Sequence, residues 1–461
     1  MGTTRLVLWG LVLALGGAVV AATPGWAQTA AEVSNDAELQ KAYDDAFAAM
    51  MAEPQNLDKT FAFAELAAKK GDLEGAISAL ERMLFINPDL PRVKLELGVL
   101  YFRLGSYETA RAYLQEALQA NPPAAVRERA QSFLDEIDRQ SSVHRFFGSV
   151  YGGLRVQSNA NASPSGTNVM AVGLPSTLSS LFTKRVDANI FGAANAKYIY
   201  DLQDQNQDTI EVTGSFYGAR QSALQAFNIT FFEMTAGPRF PIPSSWLWEG
   251  GALSVKPYAL YDYIDLHDDD YYRAPGAGFE VLSQIQQGTV AQFNFEVRDK
   301  HYKDTGLIPI SANQTGREML GHVQLTQAIT DQIAMLAGGT YQNTDAQGDT
   351  FAPSDQAYHY YDWTLGGSYS FAGPRYWSTQ SPWNMTLTVT RAYYIYRQPD
   401  PSVDPFDTRF DRDWRFALVS TVPITDSWNF ITTFGYTQRE SSITNYKFND
   451  TYGSVGASWR F

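Results

Sequence analysis

Five histidines (His144, His267, His301, His322 and His359) are the imidazoles available for acid–base or metal chemistry, and they stand apart from one another. None has a partner four residues on, and no HExxH pattern occurs, so the spacing that puts two nitrogen ligands on one helix face is missing. The chain has no cysteine, which removes disulfides, thiolate metal sites, cysteine nucleophiles and a lipid-modified N-terminal cysteine. Neither a G-x-S-x-G elbow nor a Walker A loop is present. The run His267-Asp268-Asp269-Asp270 has the charge to hold Ca²⁺ or to line a mouth, though an acidic loop is ordinarily just solvated. Asp204-Gln205-Asn206-Gln207-Asp208 matches only the first half of a calcium loop, without the central Gly or the distant Glu, and reads as a turn. A barrel protease would need Asp and His groups converging at one rim, and His267 with its acidic neighbours is the one candidate. The residues therefore predict no catalytic group, no metal, no cofactor and no enzymatic activity.

The chain is 461 residues long with 35 Lys+Arg against 49 Asp+Glu, a formal net charge of −14. Nucleic-acid binding needs clustered Lys/Arg to neutralise phosphates, and no such cluster appears. One apolar stretch, Leu6 to Val20, approaches the length of a membrane helix. It follows Arg5 and precedes Gly25-Trp26-Ala27, with small residues at −3 and −1, so residues 1–27 read as a secretory signal cleaved after Ala27, or alternatively after Ala22. Any further membrane span must be β.

From about Ala30 to Gln140 the composition is Ala, Leu, Glu and Lys at helical spacing, with a self-match at a period of 34. Gly71-Asp72-Leu73-Glu74-Gly75-Ala76 aligns with Gly105-Ser106-Tyr107-Glu108-Thr109-Ala110, Leu80 with Leu114, and Asn87-Pro88 with Asn121-Pro122. That is the tetratricopeptide period, and the second copy keeps Leu97, Gly98, Tyr101, Ala110, Leu114, Ala117 and Pro122. Small Gly98 and Ala110 let paired helices approach, while Pro122 cannot donate the next helical bond. Lys94 stands where Trp is usual, and Ala64 and Ala67 stand where Gly and Tyr would be in the first copy. Two repeats are fewer than a stack needs, so helices at Leu39 to Ala49 and Val126 to Ile137 are expected to cap them. Arg92, Val99, Phe102 and Arg103 are candidate partner contacts on the concave face. Leu95 belongs to the same face, and it and Val99 read first as core.

After Val143 the texture becomes Tyr, Phe, Thr, Ser, Asn and Gly with a period of two. Val455, Ala457, Trp459 and Phe461 alternate with Ser454, Gly456, Ser458 and Arg460; Trp383, Met385, Leu387 and Val389 alternate with Asn384, Thr386, Thr388 and Thr390. Apolar and polar faces on strands of about ten residues are what a transmembrane barrel with a polar lumen requires. Fourteen strands are predicted, centred near Tyr151, Ala194, Gly214, Phe232, Tyr258, Phe279, Phe295, Val323, Gly338, Leu365, Val389, Phe416, Phe434 and Gly456. An even count returns both ends to one rim, which is the periplasmic one if the helical segment lies there. Joins such as Ser158 to Arg185 and Gln398 to Thr408 then face outside, and Ala328 to Thr330 and Pro423 to Ser427 inside. Phe240 to Gly250 and Phe371 to Pro382 are long for inner turns, and the join near Ser222 is short for an outer one. Tyr271-Tyr272, Trp377 and Trp383 would suit interfacial girdles, and Trp459 with the terminal Phe461 forms a barrel assembly signal. A soluble β-sandwich would also alternate, but it explains that aromatic end less well.

The expected organisation is thus a signal (1–27), a periplasmic helical repeat domain (28–142) and a 14-stranded antiparallel outer-membrane β-barrel (143–461), an α plus transmembrane β fold. This arrangement, with the repeat residues Leu97-Gly98-Tyr101-Ala110-Pro122, the segment Gly153-Leu154-Arg155-Val156-Gln157-Ser158-Asn159-Ala160-Asn161 and the Trp459-Arg460-Phe461 end, resembles the surface lipoprotein assembly modifier (Slam) family, the type XI secretion system. The resemblance implies translocation of a cargo, a surface lipoprotein or a related secreted protein of haem or iron acquisition. Its partners would be that cargo, a periplasmic chaperone, the barrel assembly machinery and outer-membrane lipid. An exopolysaccharide export porin is the alternative, usually with more repeats, and a barrel enzyme and a plain porin with a docking module are further ones.

Overall fold

The computed structural model describes residues 36–120, 122–243, 251–286, 288–306, 308, 311–346, 356–374 and 381–461. The signal expected at 1–27, Asn121, Gln287 and Trp377 lie outside these residues, as do parts of the joins near 240–250, 303–313, 342–356 and 371–382. The chain divides into two compact units, a helical one ending at Arg145 and a β one from Phe146 to Phe461.

Six helices make the first unit: α1 (Asp36–Ala52), α2 (Leu57–Lys70), α3 (Leu73–Ile86), α4 (Pro91–Arg103), α5 (Tyr107–Gln119) and α6 (Ala124–Ser141). Their ends are written locally. Asn56 caps α2 by accepting from Lys59 N at 3.3 Å, and Asp72 caps α3 by accepting from Gly75 N at 2.9 Å. Gly71 and Gly105, at matching places in the two repeats, end α2 and follow α4 with φ of 92° and 74°, a left-handed conformation that side chains disfavour. Pro91 opens α4, where its missing N–H costs nothing. A Cβ on Gly98 would lie 2.6 Å from Leu114 Cγ, so the close α4–α5 approach read from the repeat pattern is real, and Ala110 and Leu114 are fully buried there. Two cores result. Phe63, Ala67, Leu80, Met83, Leu97 and Leu100 join α2, α3 and α4, whereas Leu95, Ala110, Leu114, Ala130, Leu134 and Ile137 join α4, α5 and α6. The helices at either end therefore cap the repeats as expected.

The β unit contains β1 (His144–Gln157), β2 (Asn168–Ala171), β3 (Leu174–Thr177), β4 (Asp187–Asp201), β5 (Thr209–Gln221), β6 (Ile229–Pro241), β7 (Ala252–Leu266) and β8 (Asp269–Gln286). It continues with β9 (Thr289–Tyr302), β10 (Gly316–Ala328), β11 (Ile333–Ala346), β12 (Tyr358–Phe371), β13 (Trp383–Tyr396), β14 (Phe410–Pro423), β15 (Trp428–Ser441) and β16 (Phe448–Arg460). All but β2 and β3 form one closed antiparallel barrel of fourteen strands, each strand paired with its chain neighbour and β1 closing against β16. Each of the fourteen centres read from the alternation falls within one barrel strand. The two extra strands form a hairpin inside the first long join, turned by Val172 and Gly173, both at positive φ.

Alternation is inverted relative to a soluble sandwich. Leu154, Leu365 and Phe434 are more than half exposed, whereas Glu211, Asp262, Asp411 and Asp413 are buried on the opposite face of their strands. An apolar outside around a charged inside suits lipid without and polar side chains within. Among the described residues no helix is long and apolar enough to cross a membrane.

The seam carries the chain terminus. Gly148 and Phe461 exchange both backbone hydrogen bonds at 3.1 Å, Phe146 meets Phe461 at 5.5 Å, and Trp459 lies against Phe461 at 4.9 Å and Trp428 at 6.4 Å. Each such ring pair is worth about 1 kcal/mol beyond area burial. Phe461→Ser removes the two contacts of its ring and should lower the fraction of barrel that migrates as the compact, heat-modifiable form, with the helical signal at 222 nm retained. Unchanged migration would count against a role for the terminal residue in assembly.

Candidate functional site

Two regions are candidates for a site, the groove face of the helices and the lumen of the barrel. On α4, Arg92 and Arg103 lie three turns apart and both reach toward α2. Arg92 donates to Glu65 at 3.3 Å and sits 4.6 Å over the Phe61 ring, and Arg103 donates to the Ala68 carbonyl at 3.2 Å. Both remain exposed, so these contacts position the guanidinium groups at little energetic gain. Val99 and Phe102 are half-buried against the second core, with Phe102 5.4 Å from Phe133 and 5.7 Å from Tyr107. Leu95 is wholly core. The structure adds Phe61, Glu65 and the Arg129–Glu96 pair at 2.8 Å to this face, which the repeat pattern did not single out because each is set by a neighbouring repeat.

Behind the groove, Tyr101 and Tyr113 stack at 5.5 Å and both donate to Glu81, at 2.8 and 3.4 Å, locking α3, α4 and α5. Burial, then the bond to Glu81, pushes the Tyr101 phenol up to about 12. Tyr43 donates to Asp72 at 2.7 Å, and that bond, with the Gly75 N–H, holds the Asp72 carboxyl below its usual value. Pro122, buried, follows the end of α5 and its carbonyl accepts from Arg127 at 3.3 Å.

Inside the barrel the charges are arranged in two networks. Glu211 accepts from Lys197, Arg239 and Lys256 at 3.0, 2.9 and 3.2 Å, and Arg298 lies among Glu233, Asp262, Glu296 and Glu318 at 3.5, 3.3, 2.6 and 3.6 Å. Across the lumen Arg439 forms a bidentate pair with Asp413 at 2.7 and 2.8 Å, Arg415 shares that carboxylate at 2.8 Å, and Arg409 holds Asp411 at 2.6 Å. Tyr358, Tyr360, Tyr394 and Tyr396 pack beside this second network. Toward the rim where β1 begins and β16 ends, β12 and β13 instead present hydroxyls and amides: Asn384 donates to Ser368 and Ser370 at 2.7 and 3.0 Å, and Thr364 bonds Thr390 at 2.8 Å.

At the far rim three joins are tied together. Asn445 grips the Met170 backbone, accepting from its N–H at 2.6 Å and donating to its carbonyl at 2.9 Å, while Val172 and Gly173 donate to the carbonyls of Ser402 and Val403 at 3.2 and 3.0 Å. Met170, Val403, Ile443 and Tyr446 pack beneath them, and Tyr446 donates to Asp400 at 3.2 Å. Elsewhere on that rim Ile308 packs with Ile229, Ile264, Leu266 and Tyr271. No single segment announces this cap. The sequence reading has Ser158 to Arg185 as one outer join, with neither the hairpin inside it nor its docking partners more than 200 residues away.

The histidines stay separate: His267 bonds the Gln225 carbonyl, His322 bonds Thr340 and His359 bonds Tyr341, at 3.0 to 3.1 Å. His267 and Asp268 form the β7–β8 turn, and Asp270 pairs with Arg273 and Lys303. Asp204 caps its own turn, accepting from Asn206 N and Asp208 N at 3.1 and 2.9 Å. Among the described residues no three His, Asp or Glu groups are placed to hold a metal.

The tetratricopeptide-repeat family profile matches residues 64–135. Over 62 residues, 13% of this chain, the sequence is 37% identical to stress-induced-phosphoprotein 1 of Caenorhabditis elegans, of which the match covers 19%. Among solved structures, the tetratricopeptide domain of P58(IPK) is similar at 22% identity, covering 23% of this chain and 30% of that one, with a TM-score of 0.22. The Yersinia enterocolitica type III secretion chaperone SycD, solved with a peptide of the translocator YopD, is similar at 13% identity over 24% of this chain and 86% of its own, also at 0.22. The chain thus spans under a third of the curated relative and of P58(IPK). Tetratricopeptide repeats followed by a closed 14-stranded antiparallel barrel fit an outer-membrane protein of the repeat-plus-barrel kind.

Two outcomes follow from these contacts. Because the Asp72 carboxyl is held low, its bond from Tyr43 stabilises the fold above the unfolded value near 4 and is lost as pH falls through the lower folded value. Tyr43→Phe should therefore cost about 0.5 kcal/mol in helical melting at pH 7 and progressively less as acid protonates the folded carboxyl, followed by circular dichroism. In the lumen, Asp413→Asn leaves Arg439 and Arg415 without their shared carboxylate, a loss of about 3–5 kcal/mol that should lower the temperature at which the compact gel form disappears.

Proposed function

We propose that this protein is an outer-membrane translocator of the Slam type, moving a surface lipoprotein or a related secreted protein of haem or iron acquisition to the cell surface. The observation that carries the reading is the fusion of a protein-binding helical repeat to a closed 14-stranded barrel, with only Ser142 and Val143 between α6 and β1. In this reading the even strand count puts the helical unit on the periplasmic side, where its groove holds cargo or the chaperone that delivers it. Arg92 and Arg103 supply cationic contacts and Val99 and Phe102 apolar ones.

The barrel performs no covalent chemistry here. Its paired lumenal charges form a hydrated wall, and fourteen strands lie between the eight that side chains can fill and the sixteen to eighteen of open porins. No ATP reaches the periplasm, so folding of the cargo outside, or a further partner, biases the direction. The hydroxyl and amide surface of Ser368, Ser370, Asn384 and Thr390 favours a second reading, export of an exopolysaccharide, since neutral donors and acceptors suit sugar.

Deleting the gene and comparing protease-accessible lipoproteins, secreted proteins and polysaccharide on intact cells separates the two. Loss of one or two proteins, restored by the intact gene, is expected, and lost polysaccharide with unchanged proteins would replace the reading. Cargo must also pass the tied joins at the far rim. Because the chain has no cysteine of its own, a disulfide formed between Met170→Cys and Asn445→Cys would be the single one present and should block display until reduced. Display undiminished by a fully formed disulfide would show that the cap is not on the route.

A further inference from the structure

One outward position of the barrel breaks its pattern. Along β13 the side chains facing lipid run Met385, Leu387, Val389, Arg391, Tyr393 and Ile395, and Arg391 pairs in register with Trp363 of β12 and Trp414 of β14 on that same face. Trp363 and Trp414 meet edge to face at 5.8 Å. The guanidinium carbon lies 4.7 Å from the Trp414 ring and 5.2 Å from the Tyr393 ring, and the residue is only 8% exposed. Its Nε donates to the Tyr393 hydroxyl at 3.4 Å, and its buried Nη1 has no acceptor.

An ionised side chain on a lipid face is costly and calls for a counter-charge. The neighbouring carboxylates do not provide one. Asp413 turns inward to Arg439 and Arg415, Asp362 accepts from Tyr360 inside the lumen, and Glu440 is taken by Arg412 at 2.9 Å. The Arg412–Glu440 pair, each about half exposed, marks the polar edge of the outward face, one outward position beyond Arg391. That is roughly 7 Å along the strand, within the reach of an arginine that extends toward a headgroup.

We propose that Arg391, with Trp363, Trp414 and Tyr393, forms a site for the phosphate of a membrane lipid, and that the lipid is the phosphorylated glucosamine headgroup of lipid A. Guanidinium N–H pairs match phosphate oxygens, and indole faces suit the apolar face of a pyranose. Assigning lipid A rather than a glycerophospholipid rests on the orientation given above, which places this end of β13 in the outer leaflet. The phosphate site itself needs only that the barrel cross a membrane.

The full-length protein, Arg391→Gln, Arg391→Lys and the control Arg412→Gln are purified in mild detergent from the same cells, and co-purified lipid is quantified by mass spectrometry. Wild type and Arg412→Gln should retain lipid A, Arg391→Gln about tenfold less, and Arg391→Lys an intermediate amount, as expected for loss of a charge-assisted bond. Delipidated wild type should rebind bis-phosphorylated lipid A and not the enzymatically dephosphorylated form, a comparison that needs no variant to fold. Equal retention by a heat-modifiable Arg391→Gln, or equal rebinding of the phosphate-free lipid, overturns the site. Retention of phosphatidylglycerol in place of lipid A, still lost in Arg391→Gln, overturns the lipid A assignment and traces the failure to the orientation.

Discussion

Closure of the sheet is the constraint on which the other features depend. In lipid an unpaired backbone N–H or C=O has no water to turn to, so a sheet survives only if β1 finds β16. That pairing runs from Ser149 opposite Arg460 to Gln157 opposite Tyr452, and the terminal Phe461 adds its own bonds to Gly148. Glycines let the seam come close. A Cβ on Gly153 would stand 2.2 Å from the Val455 carbonyl, and one on Gly456 2.3 Å from that of Gly152. Once the ring is shut, the period of two has only one way to be read, apolar outward and polar inward.

Closure also determines which charges meet. Glu211 of β5 is reached by Lys197 of β4, Arg239 of β6 and Lys256 of β7, four strands converging on one carboxylate. Burying any one of these ions alone would be prohibitive, and burying them together is tolerated because each has an opposite neighbour. Such networks contribute little net stability, but they hold a fixed register, since sliding one strand by a residue would turn its charges into lipid. A lumen lined in this way holds its charges in fixed positions.

The legible and the illegible parts of the chain divide along the same line. Strand centres, helix ends and the repeat are local signals. Ser454 to Phe461 alternates within eight residues, and Gly71 and Gly105 stop their helices by their own backbone preference. The lumenal networks, the cap and the lipid-face arginine come from residues brought together by register. Asn445 and Met170 are 275 apart in sequence, and nothing near either predicts the other. Arg391 is the instructive case. The alternation that runs from Trp383 to Thr390 already assigns it to the apolar face, but only the register shows the two indoles, Trp363 and Trp414, that flank it there. The candidate groove was half legible for the same reason: the repeat spacing puts Arg92 and Arg103 on one face, but Phe61 and Glu65, one repeat earlier, are what hold Arg92 there.

The helical unit solves a different problem, how so few repeats stay ordered. Each repeat buries its face only against a neighbour, so two alone would leave both ends bare. Here α4 serves both cores, giving Leu97 and Leu100 to one and Leu95 to the other, and the flanking α1 and α6 close the ends with Met50 on one side and Leu134 and Ile137 on the other. Where the first repeat has Ala67, the second has Tyr101, and that larger residue reaches Glu81 together with Tyr113. The departure from strict repetition is thus what ties the two repeats into one body. A groove carried by a body so tied keeps Arg92, Val99, Phe102 and Arg103 in fixed relation along α4, and a surface preformed in this way would cost a partner less entropy on binding than a loosely stacked pair.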